Sequence, residues 1–223
     1  MSTMSLILFD YDGVLADTLD DLVSIGQEVC NELGVMHTVT PHDLNILEVM
    51  SFSTYGRQLE VPESLVNEFV CRSLDKFAQK ESPPEIFNGL ADVIRELSAS
   101  HVLGIVTTNS ALNVNLFLAK HGLGNCFQVI YGVDTPGTKM EKISIAQIQF
   151  AAKNEAVFMI GDSLSDIRAA WEAGVISIAV GWGHQTLERL QNAKPHAVVH
   201  TPLEIKEVIA GLTGLTAIKD FPV

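Results

Sequence analysis

The residues best suited to chemistry lie at the end of the first apolar run of the chain. Leu6–Phe9 has the character of a short strand, and Asp10, Asp12 and Gly13 follow it. Successive side chains of a strand point to opposite faces, but Gly13 has the backbone freedom that lets both acids face one pocket. Paired carboxylates suit a divalent cation, and one of them can attack an electrophile. The sequence therefore predicts a reactive carboxylate pair here.

Two later apolar runs also end in polar residues. The polar residues are Thr107, Thr108 and Asn109 after the run Val102–Val106, and Asp162 after the run Val157–Ile160. Open parallel sheets bind ligands beyond the carboxyl ends of their strands, so these side chains are expected to meet Asp10 and Asp12 at one edge. Lys139, which precedes the crossover to the run containing Ile160, adds a cation to the set.

Together these residue types suit phosphoryl transfer. Thr107, Asn109 and Lys139 offer donors for the phosphoryl oxygens as charge develops, while Mg²⁺ would bridge the nucleophile and the phosphate. Asp10 is the predicted nucleophile, which would form an aspartyl phosphate. Asp12 is the predicted acid and base, which would protonate the leaving oxygen and later deprotonate water. The predicted activity is hydrolysis of a phosphate monoester.

The elements that must position these residues alternate along the chain. The apolar, β-branched runs are Leu6–Phe9, Val102–Val106, Val129–Tyr131, Val157–Ile160, Val175–Val180 and Ala197–Val199. Helical patterns separate most of these runs, and such alternation is typical of a parallel sheet covered on both faces. We therefore predict an α/β fold, in which helices flank a Rossmann-like parallel sheet.

A different pattern follows the first strand. It contains no β-run, and its first apolar residues recur at helical spacing up to Leu33, before Gly34. Further helices are predicted over Thr40–Met50 and Pro62–Lys80. The predicted domains are a helical insert over residues 16–82 and an α/β core formed by residues 1–15 and 83–223.

Composition narrows the classes of function. The chain has 223 residues, of which 47% are hydrophobic, and no apolar run approaches the ~20 residues that span a bilayer. Its 14 Lys and Arg stand against 27 Asp and Glu, which argues against nucleic-acid binding. The first residues lack the basic segment of a signal peptide, so a cytoplasmic location is expected. Three cysteines without a CxxC pair argue against disulfides or a zinc site, and the seven histidines show no ligand spacing and receive no role.

The motifs resemble those of the haloacid dehalogenase-like hydrolases, and most closely the phosphoglycolate phosphatase-like branch, over most of the chain. Asp10–Leu15 is similar to the family's DxDG(T/V)L nucleophile motif, and Ile105–Asn109 to its second, phosphate-binding motif. Lys139 is similar to the lysine of the third motif, and Gly161–Asp166 to the metal-binding fourth motif. The resemblance implies that the helical insert is a small cap, which closes over the active site and selects the substrate.

The resemblance also implies the ligands of the metal. Mg²⁺ would be held by the carboxylate of Asp10, the backbone carbonyl of Asp12 and the carboxylate of Asp162. Asp166 would either orient a metal-bound water or support the ammonium of Lys139.

Two basic residues have open roles. Many relatives place proline directly after the third-motif lysine, whereas this chain has Met140, so Lys142 is an alternative to Lys139 as the phosphate ligand. Lys139 is preferred because it precedes Asp162 by 23 residues, which is closer to the family spacing. Arg57 could reach a substrate anion from a cap loop, but a surface arginine is the favoured interpretation.

Two other functions share much of this site. A phosphosugar mutase of the same family has the same core residues and differs mainly in how the cap shields the phosphoaspartate. A phospho-receiver signalling domain also combines acidic Mg²⁺ ligands, a strand-end threonine and a lysine, but the DxD spacing and the helical insert disfavour it. The expected ligand is a small phosphorylated metabolite, such as phosphoglycolate or a sugar phosphate, and the oligomeric state is left open.

Overall fold

The computed structural model describes residues 4–213. The strands in that range are β1 (Leu6–Phe9), β2 (Ala16–Asp17), β3 (Glu85–Ile86), β4 (Val102–Val106), β5 (Val129–Tyr131), β6 (Val157–Gly161), β7 (Ile176–Val180) and β8 (Ala197–Val199). The helices are α1 (Leu19–Leu33), α2 (Pro41–Asn45), α3 (Phe52–Gln58), α4 (Val66–Ala78), α5 (Leu90–Ser98), α6 (Ala111–Lys120), α7 (Lys139–Gln149), α8 (Leu164–Glu172), α9 (Leu187–Asn192) and α10 (Pro202–Leu212), with 3₁₀ turns at Glu63–Leu65 and Asn154–Ala156. No helix within residues 4–213 is long and apolar enough to cross a membrane.

Six strands form one parallel sheet in the order β5-β4-β1-β6-β7-β8. The central strand β1 is buried on both faces, since Ile7 and Phe9 pack with α5, α6 and α10 while Leu6 and Leu8 pack with α7 and α8. Burial of both faces explains why its sequence is a continuous apolar run. The predicted Rossmann-like parallel sheet flanked by helices is confirmed, and it places Asp10 in the middle of the carboxyl edge.

The chain between β2 and β3 forms a helical layer with its own hydrophobic cluster. The buried members of that cluster are Leu22, Ile25, Val29, Cys30, Val39, Leu44, Leu47, Tyr55, Leu59, Val61, Val66, Phe69 and Phe77. Helix α1 ends at Gly34, which adopts a left-handed conformation with φ of 71°. The limits of the predicted cap, residues 16–82, and of the core, residues 1–15 and 83–223, stay a prediction.

The helical layer departs from the sequence-based prediction in its first half. The predicted helix Thr40–Met50 is reduced to α2, because the carbonyl groups of Ile46 and Leu47 accept hydrogen bonds from core side chains instead of continuing the helix. Helix α3 was not predicted. It begins after Ser51, whose hydroxyl accepts a hydrogen bond from the Thr54 N–H at 3.2 Å and so caps the helix.

The sequence analysis also did not predict the two strands that connect the helical layer with the sheet. Ala16 pairs with Ile86 and Asp17 with Glu85, so that β2 and β3 form a short antiparallel ribbon. Strands of two residues give no alternating pattern, which is why the sequence shows no β-run between Ala16 and Pro83.

Candidate active site

The carboxylate of Asp10 lies at the carboxyl end of β1 and is buried. Its Oδ2 accepts a hydrogen bond from Lys139 Nζ at 2.8 Å, and its Oδ1 accepts one from the Tyr11 N–H at 2.7 Å. Burial raises the pKa of Asp10 well above its usual value, which Lys139 opposes. Burial also lowers the pKa of Lys139, but its two carboxylate neighbours, Asp10 and Asp166, outweigh burial and raise that pKa overall. Lys139 is therefore an ammonium group that compensates the charge of Asp10.

Three buried carboxylates converge beside this lysine. Asp10, Asp162 and Asp166 each bring an oxygen atom within 4.8 Å of the others. Burial, together with the charge of Asp166, raises the pKa of Asp162 to about 7. The Oδ1 atom of Asp12 is also buried, and it has no hydrogen-bond partner within the described part of the chain. Crowded carboxylates repel each other and oxygen donors of this kind suit Mg²⁺, so this set of residues fits a divalent cation.

Asp166 also has contacts that set it apart from the other two carboxylates. Its Oδ1 pairs with Lys139 Nζ, and its Oδ2 accepts a hydrogen bond from the Ser163 N–H at 3.1 Å. Asp166 thus caps the N-terminus of α8 and orients the lysine that faces Asp10. These contacts match the predicted alternative in which Asp166 supports the ammonium group.

The side chain of Asp12 is held by Asn109, which follows the neighbouring strand β4. Its Oδ2 accepts a hydrogen bond from Asn109 Nδ2 at 3.0 Å, and Asn109 Oδ1 in turn accepts one from Asn113 Nδ2 at 2.9 Å. Burial raises the pKa of Asp12, and the bond from Asn109 offsets part of that rise. A carboxyl group with a raised pKa can hold the proton that a leaving oxygen needs.

The two threonines after β4 differ in position. Thr107 is buried, and its Oγ1 accepts a hydrogen bond from the Asn109 N–H at 3.0 Å, so it shapes the loop. Thr108 lines the cavity next to Asp10, and its hydroxyl donates to the Met50 carbonyl at 3.1 Å. A role for either residue in binding phosphate stays a prediction.

The structure separates the two lysines that the sequence left as alternatives. Lys142 Nζ donates to the carbonyl of Gly132 at 2.6 Å, and burial lowers the pKa of Lys142. The ammonium group that contacts Asp10 is the one on Lys139.

Arg57 is turned to the surface. Its side chain is half-exposed on α3 and forms two hydrogen bonds to Glu63, at 2.9 and 2.7 Å. The structure therefore agrees with the interpretation of Arg57 as a surface residue.

Sequence reasoning missed His184. Its backbone N–H donates to Asp162 Oδ2 at 2.7 Å, and its Nε2 lies 3.3 Å from Thr18 Oγ1. Burial lowers the pKa of His184, which favours the neutral imidazole. The signal that could have found it is position, because the loop after β7 ends at the same sheet edge as Asp10.

Two glycines leave room for the carboxylate of Asp162. A Cβ on Gly13, whose φ is 74°, would lie 2.1 Å from Asp162 Oδ2, and a Cβ on Gly183 would lie 2.2 Å from Asp162 Cβ. These loops can approach Asp162 only because both positions lack a side chain.

Replacement of Gly183 by alanine is expected to displace Asp162. We expect kcat/KM to fall about 10²-fold, because small misplacements of catalytic groups have effects of that size. Steady-state phosphate release and a circular dichroism spectrum would separate this effect from unfolding. Gly211→Ala is the control, since a Cβ there meets no atom within 4 Å, and unchanged activity of Gly183→Ala would contradict this view of the loop.

A cavity lies between the carboxylates and the helical layer. It is lined by Asp10, Asp12, Leu22, Leu44, Leu47, Met50, Ser51, Phe52, Tyr55, Thr108, Asn109, Asp162 and His184, and it offers about 40 Å³ to the centre of a water-sized sphere. Hydrogen bonds join the two layers above it. Gln185 Nε2 donates to the Leu47 carbonyl at 2.6 Å, and Thr186 N–H donates to Asn45 Oδ1 at 2.9 Å. The cavity therefore has an acidic side, formed by Asp10, Asp12 and Asp162, and a mainly apolar side formed by the helical layer.

This sheet, with its acidic carboxyl edge and helical layer, defines a known class of hydrolase. The family model described as "Haloacid dehalogenase-like hydrolase" matches residues 7–180, and the chain belongs to that family.

The chain is also similar to several individual proteins. The chain is 28% identical to a phosphoglycolate phosphatase of Synechococcus elongatus over 94% of its own length and 99% of the relative's. It is 24% identical to the tyrosine-protein kinase PtkA of Mycobacterium tuberculosis over 92% of its own length and 72% of the relative's. The crystal structure of a predicted phosphatase from Clostridium acetobutylicum has the same fold, with a TM-score of 0.83, 21% identity and coverage of 94% of this chain and 100% of that one. The predicted membership of the haloacid dehalogenase-like hydrolases is confirmed, and the similarity to a phosphoglycolate phosphatase agrees with the predicted branch.

Proposed function

We propose that this phosphoric monoester hydrolase cleaves a small organic phosphate monoester through a phosphorylated Asp10, with Mg²⁺ as its cofactor. The observation that carries the proposal is the position of the Asp10 carboxylate at the end of β1. This carboxylate accepts a hydrogen bond from Lys139 and lines the cavity. A fold alone does not define a substrate, but a buried nucleophile beside a cation and an acid is suited to phosphoryl transfer.

The first step forms a bond between a carboxylate oxygen of Asp10 and the phosphorus atom. The bond from phosphorus to the ester oxygen breaks, and Asp12 gives its proton to the leaving alkoxide. Lys139 offsets negative charge at the phosphoryl oxygens, as does the polar edge around Asn109. The helical layer excludes bulk water while the first bond is broken.

The second step releases phosphate. Asp12, now a carboxylate, takes a proton from a water molecule that attacks the phosphorus atom. The bond to Asp10 breaks, Asp10 returns as a carboxylate and inorganic phosphate leaves. The different neighbours of the two acids, Lys139 for Asp10 and Asn109 for Asp12, support this division of roles.

Two carboxylates of the cluster and one backbone carbonyl are the proposed ligands of the metal. The carboxylates of Asp10 and Asp162 and the carbonyl of Asp12 would hold Mg²⁺, and Asp166 would stay with Lys139. When bound, the ion supplies positive charge that stabilises the phosphoryl oxygens in the transition state. The name of the Synechococcus elongatus relative makes phosphoglycolate the first ester to assay, and sugar phosphates, which the sequence analysis also predicts, come next.

Removal of divalent metal is expected to abolish phosphate release. Dialysis against EDTA should remove the activity, and Mg²⁺ should restore it. Mg²⁺ should also raise the melting temperature of the apoprotein, because an ion that binds only the folded state at 100 times its Kd adds ~2.7 kcal/mol to the free energy of unfolding. A full melting shift in Asp162→Asn, or activity that survives EDTA, would contradict the assignment.

Loss of the Lys139 ammonium is expected to lower kcat by ~10²- to 10³-fold, the usual effect of removing one charge-stabilising donor. The variant is Lys139→Met, which keeps the length of the side chain. Lys142→Met is the matched control, because that ammonium faces the Gly132 carbonyl and its loss should reduce thermal stability rather than kcat. Equal losses of kcat in the two variants would overturn the choice of Lys139.

A further inference from the structure

We infer that the alcohol portion of the substrate is uncharged and mainly apolar, and this inference rests on the proposed function. The cavity has two unlike ends. Its acidic end holds Asp10, Asp12 and Asp162, where the phosphate would bind. The opposite end must receive the leaving group, so the side chains there decide which esters fit.

The wall at the leaving-group end is built from apolar residues of the helical layer. They are Leu22, Leu44, Leu47, Met50, Phe52 and Tyr55. The hydroxyl of Tyr55 donates to the Leu22 carbonyl at 3.1 Å, so this polar group is already bonded within the helical layer. Ser51 also lines this part of the cavity, and its hydroxyl accepts a hydrogen bond from the Thr54 N–H. Hydroxyl groups of a polyol would find few partners on this wall.

Positive charge is also missing from this wall. Among the described residues that line the cavity, none is lysine or arginine. The cations of the helical layer form ion pairs with acids of the same layer: Arg57 with Glu63, Arg72 with Glu68, Lys76 with Glu28 and Lys80 with Asp21. Arg189, from the core, donates to the Ile46 carbonyl and to Glu48.

A second carboxylate on the substrate would therefore lose its water against an apolar surface without a counter-ion. Burial of an unpaired charge is strongly unfavourable, whereas burial of methyl groups is favourable. Phosphoglycolate carries its carboxylate one carbon away from the ester oxygen, which places that charge against the wall. Isobutyl phosphate has the same number of heavy atoms in nearly the same shape, with two methyl groups in place of the carboxylate oxygens.

The test compares kcat/KM for these two esters on the wild-type protein with Mg²⁺. We expect isobutyl phosphate to be preferred by about tenfold or more, the range in which hydrophobic pockets discriminate. The dissociation constants of the same esters for Asp10→Asn, measured by calorimetry, remove differences in intrinsic reactivity and should show the same order. Equal or better binding and turnover of phosphoglycolate would overturn the inference.

A charge placed in the wall should reverse the preference. Met50→Lys adds an ammonium group at a cavity-lining position, and it should raise the ratio of kcat/KM for phosphoglycolate to that for isobutyl phosphate about tenfold. Val49→Lys is the matched control, since Val49 is exposed next to Met50 and should leave the ratio unchanged. Equal effects of the two substitutions would contradict the assignment of the wall.

Failure of the proposed function has a different signature. It would appear as the absence of phosphate release from both esters and from p-nitrophenyl phosphate, and this inference would fall with it. Hydrolysis of p-nitrophenyl phosphate together with a preference for phosphoglycolate would leave the function intact and overturn the inference alone.

Discussion

Replacement of Asp10 by asparagine is expected to lower kcat by ~10⁴-fold or more, because the amide cannot attack phosphorus and no other group takes over a lost nucleophile. The amide is nearly isosteric with the carboxylate and can keep the contact with Lys139, so the fold should survive. Phosphate release from p-nitrophenyl phosphate at saturating Mg²⁺ measures the effect, and circular dichroism with a melting curve verifies the folded state.

The control for this experiment is Asp92→Asn. Asp92 is an exposed acid on α5 that pairs with Arg95, so its substitution changes the net charge equally and should leave kcat unchanged. Asp10→Asn with more than a few per cent of wild-type activity, in a preparation free of wild-type protein, would contradict the role of Asp10 as nucleophile.

Replacement of Asp12 by asparagine is expected to separate the two chemical steps. General acid and base catalysis contributes ~10²- to 10⁴-fold, so kcat for an alkyl phosphate should fall by that factor. With p-nitrophenyl phosphate, whose leaving group needs little protonation, the first step should persist while the attack by water slows. Rapid mixing should then show a burst of p-nitrophenol equal to one enzyme equivalent, followed by a slow steady rate.

Asp17→Asn is the matched control for Asp12. Asp17 is an exposed acid on β2, five residues further along the chain, and it does not line the cavity. Its substitution should give no burst and an unchanged steady rate. A uniform loss in Asp12→Asn, with the same factor for alkyl and p-nitrophenyl esters and without a burst, would contradict the role of Asp12 as acid and base.

The sequence was most informative about the sheet. The runs that form β1, β4 and β6 are buried on both faces, so each of them is a continuous apolar segment that ends at polar residues. Because parallel strands end at one edge, the acids and amides that follow these strands can be grouped from the order of residues alone. The prediction of Asp10, Asp12, Asn109 and Asp162 at one site therefore follows from the pattern of burial.

The helical layer and the loop after β7 were harder to predict from the sequence. Helix α2 stops early because core side chains hydrogen-bond to the following carbonyl groups, and a local pattern carries no record of such tertiary contacts. His184 joins the site through its backbone N–H, a contact that any residue type except proline could make. The apolar wall above Asp10 is likewise a tertiary feature, because leucines at helical spacing give the same signal whether they face a core or a cavity.

The most direct test of the central claim is chemical identification of the phosphorylated residue. Wild-type protein and Asp12→Asn would be quenched with acid during turnover, reduced with borohydride, digested and sequenced by mass spectrometry. An acyl phosphate at Asp10 would be reduced to homoserine at that position, and we predict this product in both samples, in greater yield from Asp12→Asn. Homoserine at another acidic position, or none during active turnover, would contradict the account.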